Sequence, residues 1–309
     1  MAKKTKGNPI HGWLALDKPA WVTSADALNR VKRVLRPQKV GHGGTLDPLA
    51  TGLLPIAFGE ATKTVAYVME GVKTYRFTVR WGQATTTCDT EGDITVESDQ
   101  RPDRDAISTV LPRFEGETEQ VPPAFSAIKV HGQRAYDIAR AGGDPQLQPR
   151  PVYLERLRLV SLDDAEHATF EAVCGKGYYI RALARDLGEA LGTPAHLSAL
   201  RRTQVGALTQ DDMISLDTLD TLGHSAGVLE RIHPVETALD DIPALALTDA
   251  EANRLRSGQS VSLLKRSNID LLRDLENGDV VCAMTGHRAV ALARFEAGDI
   301  RPVRVLNLL

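Results

Sequence analysis

The chain has 309 residues, 42% of them apolar and 25% charged, which is the composition of a folded protein of about two domains and excludes disorder throughout. No run approaches the ~20 apolar residues that span a bilayer, and Met1 to Gly7 lack the apolar stretch of a secretory leader, so no membrane partner and a cytoplasmic location are expected. The formal net charge of −3 does not exclude a nucleic-acid partner, because a binding surface needs local positive potential rather than a basic total.

That charge is segregated along the chain. Residues 1–40 carry nine Lys and Arg against Asp17 and Asp26, whereas 89–119 carry ten carboxylates against three Arg, and 211–241 carry eight against Arg231. A short basic tail over 1–9 precedes an apolar run at 12–16 that reads as a strand and ends at Asp17-Lys18-Pro19. Ser24 is placed to cap a helix with Leu28, Val31 and Leu35 at helical spacing, closed by Pro37 and bearing Arg30, Lys32, Arg33 and Arg36. Gly41 to Gly52 holds four glycines and a proline in twelve positions and predicts a shaped loop.

A buried strand over 53–58 and a helix over 60–69 are expected next. Lys73 to Trp81 alternates cleanly, with Tyr75, Phe77, Val79 and Trp81 on one side and Arg76, Thr78 and Arg80 on the other. A short helix is expected over 103–111. Residues 121–151, broken by Pro122-Pro123, Gly142-Gly143, Pro145, Pro149 and Pro151, predict a long excursion with a helical patch near Tyr136. Strands over 152–162 and 168–174 and a helix over 179–191 ending at Gly192 follow, with the sheet expected to close near Gly206.

An acidic connector over 211–242 leads to a small β-rich domain over 243–309. It opens with the capping box Thr248-x-x-Glu251 and continues in strands over 279–284, 288–295 and 302–308 with turns at Thr285-Gly286 and Ala297-Gly298. The class is α+β. Cys88, Cys174 and Cys282 are odd in number and widely spaced, which argues against a disulfide framework and against a structural metal.

Asp47 sits in a loop stiffened by Pro48 and surrounded by glycines, where a ligand can approach the backbone closely. A carboxylate there is either a turn residue bonding its own backbone or a reactive group held free of clutter. The residues alone leave both open.

The string Gly41-His-Gly-Gly-Thr-Leu-Asp-Pro-Leu-Ala-Thr-Gly52, continued by Leu53 to Lys63, resembles the signature of the TruB-type tRNA pseudouridine synthases. Leu16-Asp-Lys-Pro19 with Thr23-Ser24, Lys73-Thr-Tyr-Arg-Phe77, Pro122 to Lys129, Gly177-Tyr-Tyr-Ile-Arg181 with Asp186-Leu-Gly188, and Ala195 to Arg202 occur in the family's order. The resemblance is close over residues 10–210 and looser beyond, where the C-terminal domain is similar in outline to PUA-type RNA-binding modules. It implies a pseudouridine-synthase-type mixed, mainly antiparallel sheet flanked by helices. It also implies isomerisation of uridine 55 in the tRNA T-loop, after the base is flipped out.

That chemistry breaks the N1–C1′ bond, turns the uracil and rejoins it through C5, with no redox change, so neither a cofactor nor an obligatory protein partner is expected. By resemblance Asp47 is the required carboxylate, acting by attack on C1′, attack on C6 or removal of the C2′ proton. Arg181 pairs with it, and Tyr75 stacks on the target base and handles the proton lost from C5. Tyr179 and Leu200 contact the nucleotide, His42 guards the space left by the flipped base, and Lys18 belongs to the pocket as a structural residue. Arg30, Arg33, Arg36, Lys39, Lys129, Arg134, Arg201 and Arg202 are candidates for RNA phosphates, and residues 121–151 resemble a thumb that folds over the T-arm.

Two positions depart from the family pattern: Trp21 stands where glycine is usual, and Gly43 where threonine is frequent. A non-catalytic RNA-binding protein on the same scaffold is the alternative, normally announced by loss of the aspartate. An unrelated hydrolase lacks any accompanying triad, metal cluster or phosphate loop.

Overall fold

The computed structural model describes residues 7–263 and 275–308. The lysines of the basic tail, Lys3, Lys4 and Lys6, lie outside the described residues.

A ten-stranded mixed sheet forms the frame. Its principal path runs Ile214–Ser215, Gly12–Lys18, Thr51–Phe58, Ala195–Val205, Lys73–Trp81, His167–Cys174, Arg150–Leu162, Gly116–Gln120; Val40–His42 pairs with Thr51–Phe58, and Leu208–Thr209 with Ala195–Val205. Only two neighbouring pairs are parallel, Gly12–Lys18 with Ile214–Ser215 and Thr51–Phe58 with Ala195–Val205, so the sheet is mainly antiparallel.

The expected alternation of Lys73–Trp81 is borne out, with Phe77, Val79 and Trp81 buried and Arg76 exposed. Phe77 stacks on Phe170 at 5.4 Å and Trp81 meets Phe170 edge-on at 6.2 Å, which pins two adjacent strands. Strands Gly12–Lys18 and Thr51–Phe58 are apolar at nearly every position because both of their faces are covered. Leu14, Leu16, Leu54, Ile56 and Phe58 face the main core. Trp13, Ala15, Leu53 and Ala57 face the opposite side, where Cys282, Ala289, Leu292 and Leu306 of the C-terminal sheet close over them.

Several expectations are corrected. The first helix spans Ser24–Leu35, but its cap is Thr23, whose hydroxyl accepts from Asp26 N. Ser24 turns inward and bonds both the N–H and the C=O of Leu46, tying the helix to the Asp47 loop. The helix expected over 60–69 is split into a 3₁₀ turn, Gly59–Lys63, and a helix, Val65–Glu70. The sheet does not close near Gly206 but continues to Ile214–Ser215. Ala195–Val205, at the centre of that sheet, is legible in the sequence only as a motif. Its second half, Arg201-Arg202-Thr203-Gln204, lacks apolar alternation because those side chains serve partners rather than a core.

The excursion over 121–151 contains a tight hairpin, Lys129–Val130 with Gln133–Arg134, and a helix, Ala135–Arg140; Tyr136 packs edge-on against Phe125 at 5.8 Å. The C-terminal sheet has five strands in the order Ala244–Ala246, Val280–Thr285, Arg288–Glu296, Asp299–Val305, Val261–Ser262. Its last hairpin turns through Ala297 and Gly298, with φ of 50° and 85°, the paired positive angles of a two-residue hairpin loop. The capping box at Thr248 and Glu251 forms with both halves present.

Space also reverses the charge segregation. The helix Leu216–Leu222 from the acidic connector lies against the basic helix, and Arg30 pairs with Asp220 and Asp217.

Candidate active site

The loop that carries Asp47 is held from four directions. Gly43 N donates to Pro55 O at 2.8 Å, Leu46 is gripped by Ser24, and Gly44 O accepts from Arg202 at 3.3 Å. Pro48 O accepts from both Trp21 N at 2.7 Å and the Lys18 ammonium at 3.1 Å. Leu46, Leu49 and Ala50 are buried around the turn, so the Asp47 side chain projects from a fixed backbone with 36% of its surface exposed. Gly52, the second residue of the next strand with a φ of 96°, has no room for a side chain: a Cβ there would lie 2.2 Å from Arg202 O.

Arg181 supplies the partner. It lies in the first turn of the helix Ile180–Ala190, is 5% exposed, and donates through Nε to Asp47 Oδ2 at 2.9 Å. Its other nitrogens donate to Thr87 O at 3.1 Å and Phe125 O at 2.9 Å, which fixes the plane of the guanidinium. Nε also lies 3.5 Å from Asp89 Oδ2. Asp89, 2% exposed, is a residue that sequence reasoning missed: it stands in an acidic stretch that reads as solvated surface. Its other oxygen accepts from Thr87 Oγ1 and, at 3.0 Å, from Glu91 N. One cation thus serves two carboxylates. Nearby Glu91 has its carboxyl raised above the usual range, by burial first and then by Asp89 and Asp47.

A second missed residue is Gln120, 3% exposed, which accepts from Tyr179 N at 2.9 Å and donates to Tyr179 O at 3.2 Å. It fixes the backbone where the Arg181 helix begins, a helix start with no side-chain cap of its own.

Asp47 and Arg181 open onto a cavity of about 340 Å³, whose wall also includes Tyr75, Tyr179, Leu200 and Arg134. The sequence-nominated residues Asp47, Tyr75, Arg181, Tyr179 and Leu200 therefore meet at one place. Phe125, Ser126, Arg134 and Tyr136 bring the 121–151 excursion into the same wall. Burial pushes the Tyr75 phenol above its ordinary value, an effect that the charge of Arg202, its neighbour on the adjacent strand, partly offsets. Burial raises Tyr179 and Tyr178 as well.

Other nominated residues lie elsewhere. Lys18 is fully buried and is not on the cavity wall. Its ammonium donates to Pro19 O, Val22 O and Pro48 O at 2.9, 2.7 and 3.1 Å, so its three N–H bonds hold backbone rather than substrate. Burial lowers its pKa to about 8, against an opposing pull from Asp47. His42 ends the strand Val40–His42 and is also off the cavity wall; burial first, then Arg202, holds its pKa below the ordinary value.

Arg202 is 3% exposed and donates to Leu53 O at 2.7 Å, so it is no phosphate contact: it braces the Asp47 loop through Gly44 O and lies beside Tyr75 on the neighbouring strand. Arg201 is engaged by Asp17 through two bonds at 3.0 and 2.9 Å, and Arg30 by the acidic helix. Arg33, Arg36, Lys39, Lys129 and Arg134 remain exposed.

The wall chemistry, a guanidinium-held carboxylate beside a half-buried tyrosine, sits on a sheet with solved counterparts in ribonucleoprotein complexes. A chain in the structure of an H/ACA ribonucleoprotein bound to a substrate RNA containing 2′-deoxyuridine superposes with a TM-score of 0.74. It is 22% identical, and the match covers 99% of this chain and 92% of that one. A chain of a Cbf5-Nop10-Gar1 complex gives 0.72 at 24% identity, covering 99% and 90%. This chain shares their fold.

The TruB family pseudouridylate synthase model (N-terminal domain) matches residues 32–180, and the tRNA pseudouridylate synthase B C-terminal domain model matches 181–240. The tRNA pseudouridine synthase B of Caulobacter vibrioides is 52% identical over 309 residues, all of both chains, and that of Rhodospirillum rubrum 52% over 308, again all of both. The chain belongs to the TruB family.

Proposed function

We propose that this protein is a cytoplasmic tRNA pseudouridine synthase that isomerises uridine 55 in the T-loop, with Asp47 as its reactive carboxylate. The observation that carries the proposal is the Asp47 carboxylate held 2.9 Å from the buried Arg181, in the wall of a cavity shared with Tyr75 and Leu200. The bookkeeping of the reaction is internal: the N1–C1′ bond breaks, a C5–C1′ bond forms, the C5 proton is lost and N1 gains one. No redox partner enters.

A uridine stacked in a loop must be extruded to reach a recessed carboxylate, and the unstacking is offset by contacts to the flipped nucleotide. Tyr75, Tyr179 and Leu200 offer those contacts. Burial keeps the Tyr75 phenol protonated, which suits stacking on the base better than taking the C5 proton unaided. Asp47 stays anchored while the bond is open because Arg181 is itself fixed by two carbonyls.

The exposed Arg33, Arg36, Lys39, Lys129 and Arg134 serve as the phosphate contacts in this proposal, with 121–151 as a thumb over the T-arm and the C-terminal sheet, PUA-like in outline, extending the RNA surface. Incubation with an unmodified tRNA transcript should yield one new pseudouridine at the T-loop position. Asp47→Asn should give none while binding tRNA within about tenfold of the unaltered chain, since the amide keeps the side chain's shape. Turnover by Asp47→Asn would remove the carboxylate from the mechanism.

A further inference from the structure

A second concavity on the large sheet shares Leu200 with the Asp47 cavity and has Trp21 in its wall. Trp21 is 66% exposed, whereas Trp13 and Trp81 are 0% and 1% exposed. A single exposed apolar side chain is ordinary. This one has a second property: its φ is 63°, in the left-handed region that a bulky side chain rarely occupies and glycine enters freely. The strained backbone is held by Trp21 N donating to Pro48 O at 2.7 Å, so the indole is mounted on the turn that carries Asp47.

The groove is also charge-biased. Arg76 and Arg201 line it and no carboxylate does, in a chain with 40 acidic residues and 37 basic ones. Asp17 neutralises Arg201; Arg76 is exposed, and Glu171, which faces it on the neighbouring strand, is engaged by Arg158 and Arg156, so no ion pair forms at Arg76 among the described residues. An aromatic face, an exposed guanidinium and the hydroxyls of Thr90 and Thr51, with no carboxylate in the groove wall itself, make a site for an unpaired nucleotide: the base stacks and the phosphate meets the cation.

We propose that Trp21 is a stacking platform for an unpaired base of the same RNA that places its uridine in the Asp47 cavity, with Arg76 on that nucleotide's phosphate. The proposal rests on the tRNA-modifying function proposed above. It gives the strained tryptophan a role outside the folded core, where its exposed ring gains little from packing.

Because the other two tryptophans are buried, Trp21 supplies the solvent-exposed, red-shifted part of the intrinsic fluorescence. Titration of the full chain with an unmodified tRNA transcript should quench that component, and Trp21→Gly should abolish the quench. Trp21→Gly should raise KM for tRNA about tenfold with kcat within about twofold, and Trp21→Phe should recover most of the loss. Glycine suits the observed φ, so the variant should melt at or above the temperature of the unaltered chain, which separates a binding loss from misfolding. Arg76→Gln should weaken binding and flatten its salt dependence. Turnover of tRNA with Trp21 emission unquenched and KM unchanged in Trp21→Gly would overturn the Trp21 assignment alone. Failure of the unaltered chain to bind tRNA would overturn both proposals.

Discussion

Removing Arg181 probes the electrostatics of the site most directly. Arg181→Met keeps the length of the side chain and deletes the charge. It leaves Asp89, 2% exposed, without its cation, and the carbonyls of Thr87 and Phe125 without their donor. Stripping one partner from a buried ion pair costs ~3–5 kcal/mol, because the remaining charge stays desolvated.

Adding Asp89→Asn to Arg181→Met should return about 2 kcal/mol, since the stranded charge disappears while an oxygen remains to accept from Glu91 N. Asp89→Asn alone should cost less than Arg181→Met alone. Urea unfolding followed through the buried Trp13 and Trp81 gives all three values. In single-turnover assays Arg181→Met should be slower by about 100-fold or more, the scale expected when a reacting group loses its orientation. A double variant no more stable than Arg181→Met, or an Arg181→Met that loses under about 1 kcal/mol, would show that the guanidinium is not the charge-balancing centre of this cluster.

Lys18 gives a pH test. Its folded pKa of about 8 lies below the 10.5 of an unperturbed lysine, so between those values the unfolded chain holds more protons and stability rises with pH. Over the same range the ammonium loses an N–H and releases one of its three carbonyls, loosening the Asp47 turn. The rate should therefore fall above about pH 8 with no fall in melting temperature, and Lys18→Met should be slower at all pH values and lack that limb; an unchanged alkaline limb in the variant would acquit Lys18. The exposed cations give a salt test: Arg33→Ala and Arg36→Ala should each flatten the dependence of log Kd on log salt, by about 0.7–0.9 for every phosphate that the variant leaves to its counterions. Arg202→Met, at a buried position beside Tyr75, should lower stability and leave that slope intact; a slope altered by Arg202 and indifferent to Arg33 would move the RNA surface.

By itself the sequence pointed to the family, nominated Asp47, Tyr75 and Arg181 for the site, and determined those elements whose side chains report a local environment. Lys73–Trp81 was legible because one face is buried and the other is not, and the last C-terminal turn because Gly298 interrupts two apolar runs. Ala195–Val205 was not, since its arginines and threonines answer to partners on other strands, and such a pattern has no period. Only the folded chain decided which charges are free. Arg30, Arg33, Arg201 and Arg202 look equivalent as letters, yet the fold neutralises the first and third, buries the fourth and exposes the second. Asp89 and Gln120, silent in the sequence, were drawn into the site by contacts between segments 92 and 59 residues apart in the chain. An electrostatic environment is a sum over neighbours in space, and that sum is made only once the sheet has assembled.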